Sequence, residues 1–194
     1  FSAPVRLRDR LTDADLAVLL AHDPDSFNRW EAGQRLAARG LLRQVAAAHA
    51  GKSMELPAIL ADAWRRILAD EDLDPSLAAH ALVLPDEEVL AEEMSPPDPV
   101  ALRRARLWTE RSLAKALAPA LWARLRAYRR DGAYQPAPAQ IGPRRLRNRC
   151  LDLLGALDLA DVRAAAWATG RKSANGQTVS GKISAPSFAP RFGT

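Results

Sequence analysis

The chain has 194 residues, with 28 Lys and Arg against 23 Asp and Glu and a formal net charge of +5, a length that suits one domain or slightly more with a real core. Apolar residues make up 48% and aromatics only 6%, and the dominance of Ala and Leu favours packed helices over a β-sandwich, which needs more β-branched and aromatic residues. The longest apolar runs, such as Ala164 to Ala168, are too short for a transmembrane helix, and the lone Cys150 excludes an internal disulfide framework and a multi-cysteine zinc site.

No signal-peptide pattern opens the chain, so the expectation is a cytoplasmic protein; Phe1 in place of Met reads as a cleavage or artificial boundary. The isoelectric point near 10 invites a nucleic-acid partner, but the charge is unevenly placed. Thr169 to Thr194 carries Arg171, Lys172, Lys182 and Arg191 and no acid, which leaves 24 basic and 23 acidic side chains before it. The basicity belongs to the tail, and the rest is near neutral.

Phe1 to Leu7 reads as an extended lead-in, with Pro4 against a helix and Val5 and Leu7 alternating with Arg6 and Arg8. Thr12 and Asp15 form a capping-box pattern that predicts a short helix ending near Ala21. A break at His22 to Asp25 precedes a long helix, about 26–49, capped by Asp25 or Ser26 and ended by Gly51. Its stripe Phe27, Trp30, Gln34, Ala37, Leu41 and Val45 predicts the buried face, with Phe27 and Trp30 in the core. A third helix is predicted from Pro57 to about Ala69, with Leu60, Trp64, Ile67 and Leu68 inward.

Asp74-Pro75 and Asp98-Pro99 repeat one device, an Asp cap followed by Pro at the first helical position, and predict helices at about 75–82 and 99–129. A short acidic helix, Asp86 to Glu93, lies between them. Pro119 predicts a kink or break in the long one. After a loop from Asp131 to Pro143, helices follow at about 144–157 and 159–168. The expected fold is all-α: roughly eight helices in a right-handed stack of antiparallel pairs, an α-solenoid, preceded by the short extended lead-in. Residues 1–10 form that lead-in from a preceding domain, 11–168 the helical domain, itself part of a larger one, and 169–194 a basic Gly/Ser-rich tail.

Chemistry-bearing patterns are sparse. His22, His49 and His80 lack a second histidine four residues away and a following Glu, so they make no helical zinc pair. Cys150 lies among Arg147 and Arg149, which could activate a thiol, but it shares a face with Leu146, Leu153 and Leu154 and reads as a small core residue. The acidic groups at Asp70 to Asp72, Asp86 to Glu88 and Glu92-Glu93 lack a calcium-loop spacing and read as solvated helix ends. Arginines at 103, 104 and 106, at 124, 126, 129 and 130, and at 144, 145, 147 and 149 have no aromatic stacking pattern beside them, and the five tryptophans read as packing. No phosphate loop and no nucleophile elbow is present.

The stretch Phe27-Asn28-Arg29-Trp30-Glu31-Ala32-Gly33-Gln34 resembles a signature of bacterial aminopeptidase N, the gluzincin-type zinc exopeptidases. Phe1 to Val5, His22-Asp23, Leu73-Asp74-Pro75 with Leu77-Ala78-Ala79, Leu84-Pro85, Asp98-Pro99 and Arg145-Leu146-Arg147-Asn148 with Cys150-Leu151 extend the likeness over about 1–165. It implies the first part of the C-terminal helical domain, which closes over a catalytic site and limits access to small peptides. The family's zinc, held by a His-Glu-x-x-His helix and a later Glu, lies in a catalytic domain upstream, before a β-sandwich domain. The expected partners are those domains of the same polypeptide and a peptide substrate. No catalytic, cofactor-binding or metal residue is carried onto this chain.

The likeness stops near Trp167, and Thr169 to Thr194 resembles no part of that domain. A truncated solenoid should leave some of Leu146, Cys150, Leu153, Leu154, Val162 and Trp167 exposed, or covered by the tail or by another copy. The alternatives are a free-standing helical interaction scaffold and, behind it, a basic RNA-binding helical protein.

Overall fold

The computed structural model describes residues 10–128 and 137–173, with side chains to residue 167. Among them are eight α-helices, one 3-10 turn at Pro138–Gln140, and no strand. In chain order they are α1 (Asp13–His22), α2 (Ser26–His49), α3 (Ala58–Ala69), α4 (Pro75–Ala81), α5 (Glu87–Ala91), α6 (Pro99–Ala127), α7 (Ile141–Gly155) and α8 (Ala160–Ser173).

Local chemistry sets the boundaries. Thr12 and Asp15 close a reciprocal capping box: Asp15 N–H donates to Thr12 Oγ1 at 3.2 Å and Thr12 N–H to Asp15 Oδ2 at 2.8 Å. Asp25 accepts from Phe27 N–H at 2.7 Å, Asp74 from Leu77 N–H at 2.9 Å, and Asp98 from Ala101 N–H at 2.9 Å. At the end of α2, Gly51 takes φ +67°. There Lys52 N–H reaches Ala47 C=O at 2.8 Å and Gly51 N–H reaches Ala48 C=O at 3.1 Å. This is a Schellman closure, and its left-handed residue favours glycine.

The two long helices, α2 and α6, pack on each other; α1 lies along α2, α3 and α4 fill between, and α7 packs on α6 and α4, with α8 on α7. The core is leucine-rich, with Leu16, Leu36, Leu102, Leu113, Leu121 and Leu153 fully buried and Trp64 1% exposed. Backbones approach closely where glycine allows. A Cβ on Gly33 would stand 3.1 Å from Leu20 Cδ1, and one on Gly142 3.3 Å from the Ser76 backbone nitrogen.

Three expectations need correction. Phe27 is 62% and Trp30 36% exposed; the stripe continues inward through Ala37, Leu41 and Val45, but among the described residues its first turns are left largely uncovered. α6 runs unbroken through Pro119, because Pro119 is on an exposed face while Leu117 and Leu121 anchor both halves in the core. The last helix, expected to end at 168, continues to Ser173, so Thr169 to Ser173 are helical. Of the six residues named near a cut face, Trp167 is 66% exposed, as some of them were expected to be, while Leu146, Cys150, Leu153, Leu154 and Val162 are buried within the chain. The lead-in at 1–9 and the tail from 174 lie outside the described residues.

Candidate functional site

The stretch Phe27 to Gln34 divides into residues that hold the fold and residues that face out. Asn28 Nδ2 approaches Asp23 Oδ1 at 3.4 Å, and Arg29 Nε donates to Leu20 C=O at 2.9 Å, satisfying a free carbonyl in the last turn of α1. Gly33 makes the close α1–α2 contact, and Gln34 Nε2 donates to Val83 C=O at 2.8 Å. Phe27 and Trp30 do none of this. Their rings stand 5.8 Å apart, tilted at 41°, on the surface.

Trp30 is the near wall of a groove of about 500 Å³ between α2 and α5. Trp30, Gln34 and Ala38 form a row along α2, and Pro85, Asp86 and Val89 stand opposite. Both walls are fixed: Gln34 holds Val83, Arg106 Nε holds Pro85 C=O at 3.2 Å, and Arg103 pairs with Glu87 at 3.1 Å. Asp86 begins α5 without a capping hydrogen bond from its side chain. Sequence reasoning missed this groove, because the acids read as solvated helix ends and Trp30 as core; the one available signal was an aromatic at the overhanging start of a helix.

The arginine clusters also act structurally. Arg124, buried in α6, donates from Nε to Leu68 C=O at 2.6 Å, and Arg149 donates from Nε and Nη2 to Leu82 C=O at 2.9 and 2.8 Å. Both carbonyls lie at helix C-termini, so the guanidinium groups close α3 and α4, Arg149 with two donors in a fixed fork and Arg124 with Nε alone. Arg124 Nη2 is buried with no hydrogen-bond partner.

The described residues do not fit a zinc ion. His22, His49 and His80 are exposed and lie on different elements, and no three His, Cys, Asp or Glu among the described residues converge. Burial pushes the Cys150 thiol up to about 12, against the smaller opposing pull of Arg124 and Arg149, which disfavours the thiolate.

The family model described as "Domain of unknown function (DUF3458_C) ARM repeats" matches residues 13–185. The chain belongs to this family. Its match runs past the composition change at Thr169. Aminopeptidase N of Escherichia coli (strain K12) is 40% identical over 164 residues, covering 84% of this chain and 19% of that protein. Aminopeptidase N of Caulobacter vibrioides is 37% identical over 156 residues, covering 80% of this chain and 18% of the relative. The chain thus spans about a fifth of the length of the curated relatives it matches. Among solved structures, the crystal structure of Legionella pneumophila aminopeptidase A in complex with aspartic acid aligns with a TM-score of 0.73 at 24% identity, covering 91% of this chain and 21% of that one. That likeness establishes the fold. The resemblance to the C-terminal helical domain of bacterial aminopeptidase N, and the ARM-like helical stack, are borne out. Among the described residues no helix is long and apolar enough to cross a membrane.

Proposed function

We propose that the chain is a non-catalytic helical segment of a zinc aminopeptidase, shaping the access of small peptides to a catalytic site carried upstream in the same polypeptide. The observation that carries this reading is 40% identity to an aminopeptidase N over 84% of the chain, against only 19% of the relative. On this reading the whole enzyme removes N-terminal amino acids from peptides in the cytoplasm. Zinc and the general base belong to the catalytic domain, a β-sandwich domain follows, and residues 1–10 lead from it into the helices, with a basic tail beyond Ser173. The leucine core and the arginine closures of α3 and α4 suit a rigid wall, as a size filter requires.

The test is direct. The purified chain, assayed on aminoacyl anilides and short peptides with and without zinc, should show no turnover. Zinc-dependent turnover in proportion to the amount of chain would overturn the proposal.

A further inference from the structure

The outward face of α6 carries one sign of charge. Arg104, Arg111, Lys115 and Arg126 are all exposed, and none of the four makes an ion pair or hydrogen bond among the described residues. Steps of three and four residues place them in one row with Trp108, Pro119 and Trp122. The row lies opposite Leu102, Leu113 and Leu117, which bury the other side of the helix. We propose that this row is a binding site for single-stranded nucleic acid, whose phosphates meet the four cations and whose bases stack on the indole of Trp108. This goes beyond the access role proposed above and does not depend on it.

The positive excess is not cancelled from within the helix or from its neighbours in contact. The one acid of α6, Glu110, is on the side that meets α7, 3.7 Å from Arg149. The acidic α5 meets α6 on the far side from the row: Arg103 pairs with Glu87 at 3.1 Å, and Arg106 donates to Pro85 C=O at 3.2 Å. Arg106 and Arg124 are bonded to neutral carbonyls, so they keep their charge and add to that of the row.

Shape and the aromatic residues select the polyanion. From Arg104 to Arg126 the row runs about 33 Å at 1.5 Å per residue, an open line that suits a chain of charges and not a single small anion. Cations ranged along one helix face are the electrostatic footprint of a nucleic acid. Trp108 sits half-buried in the row, with Arg104 one turn before it and Arg111 one turn after. A base stacked there has its flanking phosphates beside a cation on each side. Trp122, which also packs against the core, is a second aromatic position next to Arg126. An acidic peptide would use the cations and leave the indole idle. Along the sequence these arginines fall into separate clusters away from the tryptophans; the turn of α6 gathers them.

The test uses the full chain and a fluorescein-labelled oligothymidylate of about 12 nucleotides, followed by fluorescence anisotropy over a range of salt. Saturable binding is expected. The combined Arg104→Gln, Arg111→Gln, Lys115→Gln, Arg126→Gln variant should reduce the slope of log affinity against log salt by about 3, at about 0.7 for each cation lost. Trp108→Leu should weaken oligothymidylate by about tenfold or more without changing that slope, and Trp108→Phe should retain most of the affinity. Inorganic polyphosphate, which has the charge without the bases, should bind Trp108→Leu and the parent alike. The helical circular dichroism of every variant should match the parent. Absence of saturable binding, or affinity indifferent to Trp108→Leu, would overturn the proposal. An unchanged slope in the four-site variant would also overturn it, by giving the binding to the basic tail. So would oligoglutamate bound as tightly as oligothymidylate, which would make the row a surface for acidic proteins.

Discussion

His49 Nε2 stands 2.9 Å from Asp98 Oδ2, joining the last turn of α2 to the cap of α6. Asp98 uses its other oxygen to accept the Ala101 N–H, so one carboxylate both meets the last turn of α2 and places an anion at the N-terminus of α6. The Ala101 hydrogen bond, and after it the one from His49, holds the Asp98 carboxyl below the usual aspartate value of 3.8. Asp15 is lowered in the same way, by the Thr12 side chain and then its backbone. A carboxylate whose folded value is depressed stabilises above its unfolded value, and that contribution is lost as pH falls through the folded one. Stability should therefore drop on acidification below 3.8. The Asp15→Asn, Asp98→Asn variant, which keeps both caps, should lose less over that range in urea titrations.

Trp64 and Trp30 should respond oppositely to truncation. Trp64 is 1% exposed, and Trp64→Ala should cost about 3–5 kcal/mol. Phe27→Ala and Trp30→Ala remove surface aromatics and should each cost about 1 kcal/mol or less. Chemical denaturation of the three variants checks this ordering.

Cys150 is fully buried, with its thiol pushed up to about 12. At pH 8 a disulfide reagent should modify it only as fast as the chain opens, with full reactivity in denaturant. Rapid labelling of the folded chain at that pH would contradict the burial.

Arg124 poses a sharper test. Its Nε closes α3 at Leu68, but Nη2 is buried without a partner. Arg124→Ala removes packing and leaves the Leu68 carbonyl unmet, so it should cost about 2–4 kcal/mol. Arg124→Met restores the volume and removes a buried charge, and should recover at least half of that loss.

Glycine substitutions separate two causes of intolerance. Gly51→Ala strains a left-handed residue in open space and should cost about 1 kcal/mol. Gly142→Ala meets the Ser76 backbone, which cannot turn aside as a side chain can, and should cost about 1–3 kcal/mol by forcing α7 from α4. Thermal melts distinguish both from a neutral change.

The helix starts were legible because each carries its own signal: Thr12 with Asp15, Asp25, Asp74-Pro75 and Asp98-Pro99 name their caps within four residues. The core at Trp64, Leu121 and Cys150 was legible from helical spacing. Exposure at Trp30 was not, because periodicity identifies a stripe and not how far its neighbour extends. Pro119 misled for a related reason: a missing hydrogen bond on an exposed face breaks a free helix more readily than one pinned by Leu117 and Leu121. The carbonyl-capping arginines were invisible, since Arg124 and Leu68, or Arg149 and Leu82, meet only in the fold.

The most direct measurement of the central claim is the ratio of kcat/KM for a long peptide to that for a dipeptide, in the proposed full-length enzyme with and without residues 11–168. If these helices limit access, their loss should raise the ratio several-fold, whatever happens to the absolute rate. An enzyme that keeps its activity and the same ratio without them would contradict the account.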